Sequence, residues 1–176
     1  MNAADLAGGG LIAQTLAGLV LALALADLLP RPFSVLLVLA VARGLLTSLA
    51  LASEDHFLAA ALIAVTAGGL LPWLVWRDHP VMVPRLTWPV WAAAVAVTPL
   101  ALAAGALGLP LAILMTGLLT VLARPSLSAQ ALALTTMQLG IALVPPLFGG
   151  AGWPATLVAC LPLAAGLVLL TRRQPA

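Results

Sequence analysis

Long apolar segments, separated only by short polar, proline or glycine breaks, are the feature that most constrains the fold of this chain. Of its 176 residues, 64% are hydrophobic and 7% are charged, whereas soluble domains are about half apolar and about a quarter charged. A helix needs about 20 apolar residues to cross a bilayer, and irregular backbone cannot face lipid because its polar groups would be unpaired. We therefore expect an all-α integral membrane protein whose helices end at the polar breaks.

The breaks divide the chain into seven predicted transmembrane spans, which form a single helical domain over residues 1–176. Pro30-Arg31-Pro32 cannot continue a helix, Ser53–His56 is too polar for lipid, and Gly149–Gly152 is typical of a turn. The predicted spans are 6–29, 33–52, 57–76, 88–107, 110–123, 127–148 and 154–171.

The positions of the arginines predict how these spans are oriented, because cytoplasmic loops are enriched in Arg and Lys. The arginines outside the predicted spans are Arg31, Arg77, Arg85, Arg124, Arg172 and Arg173. With seven spans they all lie on one side of the membrane, whereas a single span over 88–123 would divide them equally between the two faces. The predicted topology therefore has its N-terminus outside and its C-terminus in the cytoplasm.

The basic residues also bear on location and partners. They are all arginine, and the chain is rich in Ala, Leu, Gly and Pro, which indicates a GC-rich bacterial genome and hence the bacterial cytoplasmic (inner) membrane as the expected location of this multi-pass protein. The net charge is only +2. Because nucleic-acid binding needs a basic patch or stripe, we expect a lipid bilayer and no nucleic acid among the partners.

Residues for catalysis or for metal binding are scarce. Cys160 is the only cysteine, so the chain has neither an internal disulfide nor a cysteine metal cage. His56 and His79 lie in loops on opposite sides of the predicted membrane, and no nucleophile has a histidine and an acid beside it. We expect no catalytic site, no cofactor and no metal.

Arg43 is the one charged residue near the middle of a predicted span, and an arginine there must find water, a carboxylate or several carbonyls. Asp27 is the nearest acid in sequence. Because the first two helices run antiparallel, Asp27 is expected about 15 Å shallower along the helix axis, which favours an acid on another subunit as the partner. Arg43 therefore either borders an ion path or forms an intersubunit salt bridge, or it snorkels to the headgroups or caps backbone carbonyls.

A polar stripe follows the sixth predicted span. At roughly 100° per residue, Ser128, Gln130, Thr135 and Gln138 lie within one half of the helix surface. The stripe either lines an ion path or makes interhelical hydrogen bonds, which contribute on the order of 1 kcal/mol each in membrane bundles.

The same span resembles a helix in the component E membrane subunit of hydrogenase-4-type formate hydrogenlyases. That family reads a basic residue, Gln, then Met-Glu-Asn-Gly, and this chain has Arg124, Gln130 and Met137-Gln138-Leu139-Gly140 at the same spacing from Gln to the Glu position. In the third span, Thr66–Pro72 is similar to the family's Thr-Lys-Val-Leu-Leu-Val-Pro. The resemblance, including the seven-helix layout, covers nearly the whole chain.

The resemblance implies a subunit related to the K subunit of respiratory complex I and the C subunit of multisubunit sodium/proton antiporters, which contribute buried carboxylates to a proton path. Here the family's Glu corresponds to Gln138, its third-helix Lys to Ala67 and its seventh-helix acid to Ala159 or Cys160. A glutamine keeps the hydrogen-bonding capacity of a glutamate but exchanges no proton. Side chains alone are therefore not expected to relay protons.

The sequence thus predicts a non-catalytic membrane-arm subunit of a complex-I-like or group 4 [NiFe]-hydrogenase-like assembly, mainly structural, with at most a water-mediated role in proton or ion translocation. Antiporter-like and complex-I-like membrane subunits would be its partners. The alternative is a free-standing transporter of small solutes. The candidate residues for an ion path or an interface are Arg43, Thr66, Gln130, Thr135 and Gln138.

Overall fold

The computed structural model describes residues 3–29, 32–77, 88–103, 107–124 and 127–144, with side chains over 10–29, 32–77, 92–103, 107–124 and 129–144. Within these ranges the chain consists of helices and turns, which confirms the all-α prediction there. The helices are α1 (Ala3–Ala26), α2 (Phe33–Ala52), α3 (Phe57–Val65), α4 (Leu71–Arg77), α5 (Trp88–Leu102), α6 (Gly108–Ala123) and α7 (Leu127–Ala142). A π-helical segment, Thr66–Leu70, joins α3 to α4 in one continuous helix.

Two of the described helices are long and apolar enough to cross a membrane. They are Phe33–Ala52, with a mean hydropathy of 2.2, and Phe57–Arg77, with a mean hydropathy of 2.0. The predicted seventh span, 154–171, lies outside the described residues, as do His79 and Cys160.

α5 ends earlier than the sequence predicts, at Leu102 rather than at residue 107. At the start of α6, Gly108 approaches the end of α5 closely. A Cβ atom added to Gly108 would lie 2.7 Å from the backbone oxygen of Leu102, which is closer than real Cβ contacts. The chain therefore leaves α5 before the glycine that makes this approach possible.

α2 and α6 are the inner helices of the described bundle. α2 packs against α1, α3, the π segment, α4 and α7, and α6 packs against α1, α5 and α7. Most of the buried hydrophobic residues in the described bundle are alanines. Small side chains bring helix backbones close together, as is common in membrane bundles, where packing rather than the hydrophobic effect holds helices together.

Two contacts in this bundle bring backbones together at glycines. A Cβ atom added to Gly44 in α2 would lie 2.6 Å from the backbone nitrogen of Gly68 in the π segment, and one added to Gly117 in α6 would lie 2.6 Å from the backbone nitrogen of Met137 in α7. Only glycine fits these positions without a shift of the backbone.

The outer surface of the described bundle carries large apolar side chains. Leu58, Leu100 and Leu122 are 70%, 75% and 76% exposed. Trp73 and Trp76 are exposed near the end of the helix that finishes at Arg77, and the Arg77 guanidinium lies 5.6 Å from the centre of the Trp73 ring. Indole rings and a basic residue at a helix end are typical of the headgroup layer of a membrane.

Gly44→Ala tests the contact between α2 and the π segment. The added methyl group must displace backbone, so we expect the free energy of unfolding in detergent micelles to fall by about 1–3 kcal/mol. Gly18→Ala is the matched control, since a Cβ atom there meets nothing within 4 Å and alanine favours a helix by up to about 1 kcal/mol. Equal stability of the two variants would contradict the described packing.

Candidate functional site

Arg43 pairs with Asp27 of the same chain. The Arg43 Nη1 group donates a hydrogen bond to Asp27 Oδ2. Both residues are buried, with 0% of Arg43 and 6% of Asp27 exposed. The prediction that an acid on another subunit neutralises Arg43 is therefore wrong, and an intramolecular salt bridge takes its place.

The depth estimate failed because it counted backbone positions only. Side chains on a helix lean toward its N-terminus, so Arg43 extends toward the start of α2, which is the end of the bundle where Asp27 lies. Arginine also has a long apolar stem that carries its charge away from its own backbone position.

Arg124 reaches the same aspartate from the end of α6. Its Nη2 group donates to the backbone oxygen of Asp27 at 2.6 Å, and only 2% of the residue is exposed. The last carbonyls of a helix have no partner within the helix and carry a partial negative charge, so a cation there is stabilising. Burial lowers the pKa of Arg124 from its ordinary value through desolvation, yet an arginine stays protonated at neutral pH. Arg124 thus caps the end of α1 as a cation.

Gln130 extends this arrangement to α7. Its Nε2 group donates to the backbone oxygen of Arg124 at 2.7 Å, so it satisfies a carbonyl at the end of α6. We call Asp27, Arg43, Arg124 and Gln130 the Asp27 cluster. Its members lie on or at the ends of α1, α2, α6 and α7, and its three direct bonds hold these helices together at one end of the bundle.

The other three candidate residues line a separate cavity. This cavity has a volume of about 10 Å³. It is lined by Thr66, at the start of the π segment, and by Thr135 and Gln138 on α7. Its remaining lining residues are Ile63, Ala67, Leu139 and Ala142, and we call it the Gln138 cavity. The five candidate residues therefore divide into two sets. Arg43 and Gln130 belong to the Asp27 cluster, and the other three line the Gln138 cavity.

The two threonine hydroxyls of the Gln138 cavity have used their hydrogen atoms, so they offer only acceptors to it. The Thr66 hydroxyl donates to the carbonyl of Leu62 at 2.7 Å, and the Thr135 hydroxyl donates to the carbonyl of Leu132 at 2.5 Å. The buried Oε1 atom of Gln138 receives no hydrogen bond from any described residue. A single water molecule requires roughly 10–15 Å³ and several polar partners, so the cavity matches one water molecule in size.

Three features of the site were missed in the sequence. The Asp27–Arg43 pair was not predicted, and Arg124 was assigned to a cytoplasmic loop. Thr116, Thr120 and Arg124 recur every four residues, which places them on one face of α6, so this spacing was a usable indication that Arg124 points inward. The π segment had no comparable indication beyond Gly68-Gly69, although such segments often lie at functional sites.

The polar groups of the two sites can be compared by what they offer to a ligand. Among the described residues, no three His, Cys, Asp or Glu side chains are placed to hold a metal ion. Within the described ranges, the polar groups of the Asp27 cluster bond to each other or to helix ends, except that Asp27 Oδ1 and the Nε and Nη2 groups of Arg43 are buried without a hydrogen-bond partner. The Gln138 cavity offers uncharged oxygen atoms.

Comparison of the chain with protein-family models, with curated proteins and with solved structures found no match. The resemblance to component E therefore stays a prediction, based on the motifs at Met137–Gly140 and Thr66–Pro72.

Arg43→Leu tests the buried pair. Removal of the guanidinium leaves the Asp27 carboxylate without its cation, and such a loss costs about 3–5 kcal/mol for a buried pair. We expect a corresponding fall in the free energy of unfolding, measured by denaturant titration in mixed micelles. Arg77→Leu is the control, because Arg77 is exposed and its contact with Trp73 contributes about 0.5–1 kcal/mol. Equal losses of unfolding free energy in the two variants would contradict the salt bridge between Asp27 and Arg43.

Proposed function

We propose that this protein is a non-catalytic, multi-pass subunit of the bacterial cytoplasmic membrane, with seven spans, its N-terminus outside and its C-terminus in the cytoplasm. It belongs to the membrane arm of a complex-I-like or group 4 hydrogenase-like assembly. Its role there is mainly structural, and any proton or ion that passes through it is carried by water.

The Asp27 cluster carries this proposal. Charged groups inside a membrane protein are expensive and generally serve either transport or structure. Here Arg43 is neutralised by Asp27, and Arg124 and Gln130 cap the ends of α1 and α6. The groups that an ion path would need are instead engaged in fixing four helices to one another, which supports a structural role.

The distribution of side chains supports residence in a membrane. Three charged residues, Asp27, Arg43 and Arg124, are at most 6% exposed. Leucines at the outer surface are up to 76% exposed. A water-soluble protein has the opposite arrangement. Lipid tails and the apolar helices of partner subunits are the surroundings that suit such a surface.

One face of α1 supports contact with another membrane subunit. Gly10, Gln14 and Gly18 are spaced four residues apart and so share a face. Gln14 is exposed in the middle of α1, and Cβ atoms added to Gly10 or Gly18 would meet no described atom within 4 Å. Small residues that flank a mid-span amide are typical of helix–helix contacts in membranes, where the amide bonds across the interface.

The identity of position 138 supports a structural rather than a relaying subunit. Component E proteins have a glutamate where this chain has Gln138, and a glutamine amide exchanges no proton. The cavity beside it matches one water molecule in size. Water, rather than this side chain, would have to carry a proton past this point.

The transporter alternative has less support. The Gln138 cavity and a second polar cavity beside Asp27 have volumes of about 10 Å³ each, too small for a solute larger than water. Solute uptake by the purified chain alone in proteoliposomes would establish this alternative and contradict the proposed function.

Gln14→Leu and Gly18→Leu test the contact between subunits. Both should reduce the amount of antiporter-like membrane subunits that copurify with the tagged chain from its native membrane. Gln14→Leu removes the amide, and Gly18→Leu fills the open space at Gly18. Ala61→Leu is the control, since Ala61 is also exposed on an apolar helix but its neighbours three and four residues away are all apolar: Phe57, Leu58, Ala64 and Val65. Isolation of the unaltered chain as a stable, lone monomer would contradict the proposal.

Gln138→Glu tests whether the Gln138 cavity is hydrated. If the cavity holds a water molecule, we expect the variant to assemble with its partners, because the water can donate a hydrogen bond to the new carboxylate, whereas the hydroxyls of Thr66 and Thr135 already donate to backbone carbonyls. Gln138→Met keeps the size of the side chain and removes its polar atoms, so it serves as the control. Normal assembly of the Met variant together with failed assembly of the Glu variant would show that the cavity is dry.

A further inference from the structure

The Asp27 carboxylate uses only one of its two oxygen atoms in direct contacts with described residues. Oδ2 accepts from Arg43, whereas Oδ1 is buried and receives no hydrogen bond from any of them. The Nε and Nη2 groups of Arg43 are likewise buried and donate to none of them. A carboxylate oxygen is a strong acceptor, and a buried one without a donor is costly. Buried polar atoms in proteins nearly always have a partner, either protein or ordered water.

A small cavity adjoins this carboxylate. Its polar lining comes from Asp27, Thr120 and Arg124, and its volume is about 10 Å³. The other lining residues are Leu36, Ala129, Leu132 and Ala133. We call it the Asp27 cavity. The three polar residues are each more than nine-tenths buried, with exposed fractions of 6%, 5% and 2%, so bulk solvent does not satisfy them.

The chemistry of the lining selects the occupant. A cation in the cavity would lie beside the Arg124 guanidinium, and an anion would lie beside the Asp27 carboxylate, so an ion of either sign meets a like charge. Thr120 offers an acceptor, because its hydroxyl hydrogen is used in a bond to the carbonyl of Thr116 at 2.8 Å. A neutral molecule that both donates and accepts, and that fits in roughly 10–15 Å³, is water.

We propose that one ordered water molecule occupies the Asp27 cavity, donates hydrogen bonds to Asp27 Oδ1 and Thr120 Oγ1, and accepts one from Arg124. Both oxygens of the carboxylate then have partners. The water also adds a side-chain link between the end of α1 and α6, beside the bond from Arg124 to the Asp27 carbonyl. This site does not depend on the partners named in the proposed function, because every contributing group belongs to this chain.

Thr120→Val tests the water site. Valine keeps the shape of threonine but removes the oxygen that accepts from the water. Thr116→Val is a matched control, because Thr116 is also a buried threonine of α6 whose hydroxyl donates to the carbonyl four residues earlier, at 2.7 Å, and it does not line the cavity. We expect Thr120→Val to lower the unfolding midpoint by about 2–4 °C more than Thr116→Val does. Equal midpoints would overturn the proposal.

A high-resolution experimental structure of the unaltered protein gives a second, independent readout, which holds even if a variant fails to fold. We expect density for one water molecule within hydrogen-bond distance of Asp27 Oδ1. An empty cavity, density for an ion, or a side chain seated there would each overturn the proposal.

Discussion

A permanent positive charge in the middle of an apolar helix is the constraint on which the rest of this structure depends. Arg43 cannot lose its proton at physiological pH, and an uncompensated buried charge costs several kcal/mol, a large part of the net stability of a domain, which is about 5–15 kcal/mol. Asp27 supplies the compensating charge. Because the acid lies just past the end of α1 and the base lies inside α2, their pairing fixes the depth of one helix against the other.

The neighbouring polar contacts build outward from this pair. Arg124 binds the carbonyl of the same aspartate, and Gln130 binds the carbonyl of Arg124. Each bond satisfies a carbonyl at a helix end that lipid would leave unpaired. The Gln138 cavity is separate and contains no charged residue, whereas the Asp27 cluster is charged and links four helices through its hydrogen bonds. This division supports the proposed structural role more than a role in carrying charge.

Much of the fold could be predicted from the sequence because its breaks have strong local causes. α2 begins at Phe33, after two prolines, and ends at Ala52, before a polar turn, as the breaks indicated. The end of α5 could not be predicted, because it depends on how closely Gly108 approaches Leu102. The Asp27 pair was missed for a similar reason, since helix register alone ignores the direction in which a long side chain extends. The proximity of Thr66 to Gln138 needs tertiary contacts that no local pattern contains.

A double-mutant cycle on Asp27 and Arg43 tests the central claim most directly. The free energy of unfolding would be measured for the unaltered chain, for Asp27→Leu, for Arg43→Leu and for the double variant. If the two side chains neutralise each other, the double variant loses less stability than the sum of the single losses, with a coupling of about 1 kcal/mol or more. Additive losses would show that the two residues do not interact, and would contradict the claim that their pairing fixes α1 against α2.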